Sequence, residues 1–129
     1  MDREALLEQL KQALVVRPER PPLPRGNIGA IVVDVVRGFT RGGNLADPDS
    51  MAPMVHDVDH LLRELDRRLG PRLHVLALRD CHAPDIPEPP YPPHCIAGTG
   101  EEQLDPQLAW LERRATVVSK EYRGSQLVK

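Results

Sequence analysis

Near the start of the chain, Ala5, Leu6, Leu7, Leu10, Ala13 and Leu14 recur at helical spacing. Asp2 can cap such a helix, and the pattern predicts it to run to about Val15, where the proline-rich stretch 17–25 ends it. The pattern then changes period. Residues 28–34, Ile-Gly-Ala-Ile-Val-Val-Asp, are apolar nearly throughout and rich in β-branched side chains. Such a run predicts a strand buried on both faces, the mark of a parallel sheet. A polar, glycine-bearing loop follows over 38–48. Val55, Val58, Leu61, Leu62, Leu65 and Leu69 then define one face of a helix that Gly70-Pro71 ends. Residues 73–78 predict a second buried strand, 106–113 a short amphipathic helix, and 115–119 a third strand. Between the second strand and that helix lies a loop over 79–100. Loops of that length within a compact domain are usually functional.

Strands alternating with helices predict an α/β fold: a doubly wound, three-layer αβα arrangement on a parallel sheet, Rossmann-like in class. Ligands of such sheets bind outside the carboxyl ends of the strands. Asp34, Asp80 and Lys120 each stand at or just past such an end and are expected to converge on one edge.

The chain of 129 residues is long enough for one domain with a sizeable core. Its 40% hydrophobic and 28% charged residues read as soluble and globular. A net charge of −2 and scattered arginines give no basic stripe, so no nucleic-acid partner is expected. No apolar run reaches membrane-spanning length, so no membrane partner is expected either. Cys81 and Cys95 do not form a secreted disulfide framework, which points to a cytoplasmic location. There is no internal repeat, P-loop or dinucleotide fingerprint.

The chemistry concentrates at Asp80-Cys81-His82 and His94. A carboxylate and two imidazoles are the ligand set of a divalent metal, and three protein ligands leave positions open for water or substrate. His56 and His60 share a helix face but read as solvated, His74 as a strand side chain, and Cys95 as a small buried hydrophobe.

Five segments line up in order and spacing. They are Ile31-Val-Val-Asp34 with Phe39, Gly42-Gly-Asn-Leu-Ala46, the Asp80-x-His82 pair, Pro93-His94-Cys95 running into Gly98-Thr-Gly100, and Val117-Val-Ser-Lys120. Over roughly residues 28–125 this resembles the isochorismatase-like cysteine hydrolase superfamily, and within it the nicotinamidase/pyrazinamidase branch. The resemblance implies Asp34 as catalytic acid/base and Lys120 as catalytic lysine. It also implies Asp80, His82 and His94 as metal ligands. The ion expected is zinc, with iron or manganese as alternatives. Phe39 is implied to pack on a flat substrate, and Cys81 stands where a tryptophan usually lines the pocket.

In that family a cysteine thiolate attacks an amide, releases ammonia, and the thioester is hydrolysed. Val36 and Gly38 occupy places usually held by Gln and Asp in the first motif. Neither cysteine matches the position of the nucleophile, which lies beyond the lysine.

The chain therefore reads as an N-terminal helix and proline-rich connection, 1–25, followed by a C-terminally incomplete hydrolase domain, 26–129. The expected function is a metal-assisted amidohydrolase acting on a small amide, inactive as these residues alone. Two alternatives are another amide, carbamoyl or isochorismatase-type hydrolase and a non-catalytic metal-binding or assembly module. Expected partners are a second copy of the chain or the absent C-terminal portion.

Overall fold

A computed structural model of the chain describes residues 4, 5, 8, 9 and 22–120. Of the first predicted helix, the described positions 4, 5, 8 and 9 are helical and exposed, and the rest lies outside the described residues. Within residues 22–120 the elements are β1 (Ile28–Val33), a one-turn helix α1 (Arg37–Thr40), the long helix α2 (Pro48–Leu69), β2 (Leu73–Asp80), a second one-turn helix α3 (Leu111–Arg114) and β3 (Thr116–Lys120). The strands form one parallel sheet in the order β1-β2-β3.

Each element has a local cause. Asp47 caps α2 by accepting the Ser50 N–H, and Pro48 at the first position gives up no helical hydrogen bond. Gly70, at φ 52°, ends that helix in a backbone conformation that favours glycine. Parallel register places Val32 beside Ala77 and Ala77 beside Val117, so these side chains share a face. Val55, Leu62 and Leu69 of α2 pack on that face, and Leu104, Leu108 and Leu111 extend the same core. Asp105 ties this core to the segment after β1. Its fully buried carboxylate accepts from the Thr40 hydroxyl at 2.7 Å, from Arg41 at 2.7 and 3.0 Å, and from the Gln107 N–H.

The opposite face of the sheet differs from expectation. Ile31 is 67% and Val33 53% exposed, and His74 and Thr116 are also exposed. The continuous apolar run predicts burial on both sides, but the helices that pack on the sheet among the described residues cover one. The run therefore records two faces suited to burial, of which one is covered. Leu61 is likewise 57% exposed, because it points away from the line of Val55, Leu62 and Leu69. The expected helix over 106–113 is two pieces, a 3₁₀ turn at Pro106–Leu108 and then α3. β2 runs two residues past its predicted end, which makes Asp80 part of the strand.

Candidate functional site

The site stands at the carboxyl ends of the three strands. Asp80 ends β2 and Lys120 ends β3, and the two are paired in register. Asp34 follows β1 and donates its N–H to the Leu78 carbonyl. At φ 58° it is in the left-handed region, which aspartate tolerates better than most residues. There, one carboxylate oxygen of Asp34 meets Lys120 Nζ at 2.5 Å, and the other is buried with no hydrogen-bond partner among the described residues. Lys120 Nζ also stands 3.7 Å from Asp80 Oδ1, so one ammonium bridges two carboxylates.

The structure brings Asp80, His82 and His94 together. One ligand atom from each lies within 4.8 Å of the others. Asp80 Oδ2 is 2.9 Å from His82 Nε2 and 3.4 Å from His94 Nε2. The long loop makes this possible by closing on itself. His82 N–H donates to the Cys95 carbonyl and Ala97 N–H to the His82 carbonyl, which forms a short parallel bridge at the loop's base. His94 Nδ1 donates to the Pro92 carbonyl at 2.8 Å, so Nε2 is left as the nitrogen able to bind an ion. The buried carboxylate and two correctly turned imidazoles fit a divalent metal by donor chemistry.

A cleft of about 280 Å³ opens over these groups, lined by Asp34, Phe39, Leu45, Asp80, His82, Glu88, Tyr91, His94 and Lys120. Phe39 and Tyr91 flank His94, with ring centroids 5.7 and 6.2 Å from it. Cys81 is buried and does not line the cleft. Burial first, then the carboxylates of Asp80, Glu101 and Asp34, push the Cys95 thiol up to about 12. A thiol in that state is not a nucleophile at neutral pH. His56 and His60 are exposed on α2, away from the site.

Three lining residues were not singled out from the sequence. Glu88 Oε2 stands 3.4 Å from His82 Nε2 and 4.0 Å from His94 Nε2, a second carboxylate beside the imidazoles. Tyr91 supplies an aromatic wall and Leu45 an apolar one. Glu88 and Tyr91 lie in the proline-rich part of the loop, which reads as a stiff spacer. The available signal is one acid and one aromatic held among prolines, close to His94 in sequence.

No family model matches the chain. Nicotinamidase 1 of Arabidopsis thaliana is 42% identical over 118 residues, covering 86% of this chain and 47% of that protein. N-carbamoylsarcosine amidase from Thermoplasma acidophilum is 29% identical with a TM-score of 0.59, covering 72% of this chain and 51% of its own. Pyrazinamidase of Pyrococcus horikoshii, solved in complex with zinc, is 24% identical with a TM-score of 0.56, covering 74% and 52%. The chain thus spans about half the length of the relatives it matches. In sequence likeness and in its parallel α/β fold, the chain resembles the isochorismatase-like cysteine hydrolases, and among them the nicotinamidase/pyrazinamidase branch.

Proposed function

We propose that this chain is the metal-holding and substrate-orienting part of a cysteine amidohydrolase that converts a small amide of the nicotinamide type to its carboxylate and ammonia. The observation that carries this reading is the Asp34–Lys120 pair beside Asp80, His82 and His94, with one Asp34 oxygen buried and unpaired. A thiol needs a base to take its proton and a cation to stabilise the thiolate. Asp34 and Lys120 supply both functions within hydrogen-bond distance of each other. Phe39 and Tyr91 give a flat ring two aromatic surfaces across the cleft. A bound divalent ion, zinc before iron or manganese, would supply a positive charge that orients the ring nitrogen or a water bridging to it. Asp80, His82 and His94 would hold that ion, with Glu88 a carboxylate at its margin.

The nucleophile is the missing part. Cys81 lies outside the cleft and Cys95 is buried as a protonated thiol. Activity therefore requires a cysteine from outside residues 1–129, and this chain alone orients substrate without cleaving it. Likeness to N-carbamoylsarcosine amidase supports a second reading in which the amide is a carbamoyl group. The test is ammonia release from nicotinamide by the purified 129-residue chain. None is expected. Release that is lost in Asp34→Ala would overturn the proposal.

A further inference from the structure

Of the three metal-ligand candidates, Asp80 belongs to a strand and His82 follows it by two residues. His94 stands in the loop and depends on loop contacts for its aim. Its ring is fixed by the Pro92 carbonyl, and the Pro93 carbonyl accepts from Asn44 Nδ2 at 2.6 Å. On the other side of His94, Cys95 has φ 47°, a left-handed conformation unfavourable for a residue with a β-carbon. The Cys95 N–H donates to Glu101 Oε2 at 2.9 Å.

The surroundings of Glu101 are shaped to admit it. A β-carbon on Gly38 would lie 2.7 Å from Cys95 Sγ and 3.1 Å from Glu101 Cβ. A β-carbon on Gly43, at φ 152°, would lie 3.1 Å from Glu101 Oε2 and 2.9 Å from the Gly38 carbonyl. The backbone adds to the clasp, because Gly38 N–H donates to the Glu101 carbonyl and Arg37 N–H to the Gln103 carbonyl. Glu101 itself does not line the cleft.

We propose that Glu101 is a positioning residue: its carboxylate holds the Cys95 N–H, and so the His94 imidazole, in the orientation that binds a metal ion, with Gly38 and Gly43 bare of side chains to make room for it. This inference rests on the reading of Asp80, His82 and His94 as metal ligands. Partners of this kind, one step removed from the ligands, commonly change metal affinity by about 10- to 100-fold when lost.

The test is zinc affinity of the 129-residue chain by chelator competition, for wild type, Glu101→Ala and Glu101→Gln. It is paired with amide hydrogen exchange of the metal-free proteins at Cys95 and along β2. Glu101→Ala is expected to weaken zinc binding by about tenfold and to speed exchange at Cys95 while β2 stays protected. Glu101→Gln keeps an oxygen acceptor and is expected to restore most of the affinity. Wild-type affinity in Glu101→Ala, a Gln variant as damaged as the Ala variant, or loss of protection throughout β2 would each overturn the positioning role. A wild-type chain that binds no zinc would instead overturn the metal reading on which the inference rests.

Discussion

Val32 and Val33 are neighbours in β1, and replacing each in turn by alanine asks whether the second face of the sheet is open. Val32 is 6% exposed and packs in the core with Ala77, Val55 and Leu62. Val33 is 53% exposed. Valine to alanine removes two carbons, worth about 1.6 kcal/mol when fully buried at about 0.8 kcal/mol each. At Val32 the cavity left behind raises this to about 2–3 kcal/mol. At Val33 about half the transfer contribution applies and solvent fills the space, so the loss is about 0.8 kcal/mol. The two variants should therefore differ by about 1.5 kcal/mol, or roughly 5 °C in Tm. Urea titration followed by circular dichroism measures both, with an unchanged slope showing that the midpoint reports stability. Equal losses of about 2 kcal/mol would refute the reasoning, because Val33 would then be covered in solution.

The buried Asp105 carboxylate gives a pH prediction. Burial raises its pKa, but the Arg41 guanidinium, the Thr40 hydroxyl and the Gln107 N–H outweigh that and leave it below the ordinary carboxylate range. Its stabilisation is therefore complete above the unfolded value of about 3.9 and is lost as pH falls through the lower folded value. Asp105→Asn should lose about 2 kcal/mol at pH 7 and show a flatter acid limb in urea titrations below about pH 4; an unchanged acid limb would contradict this. Cys95, with its thiol pushed up to about 12, should resist iodoacetamide at pH 8 in the folded protein and react once urea unfolds it. Peptide mass mapping reads the label, and rapid native labelling at Cys95 would contradict the burial.

Much of the site was legible because strand ends are legible. The β-branched runs located β1, β2 and β3, and a parallel sheet brings strand ends to one edge, so Asp34, Asp80 and Lys120 followed from topology. The cluster of Asp80, His82 and His94 was legible from side-chain chemistry, since a carboxylate and two imidazoles stand close together in sequence at a strand end and in the loop after it. Glu88 and Tyr91 were not, because hydrophobic period carries no information in a proline-rich loop, whose path is set by its closing contacts. The exposure of Ile31 and Val33 was hidden for a different reason. An apolar strand records what it is suited to pack against, whether or not the packing element is among these residues.

The proposed function turns on whether Asp80, His82 and His94 bind an ion. Equilibrium dialysis of the purified chain against zinc, followed by elemental analysis, tests that directly. About one ion per chain is expected, lost in His82→Ala and in His94→Ala while circular dichroism shows the fold retained. A wild-type chain without bound metal, or variants that keep full stoichiometry, would contradict the account.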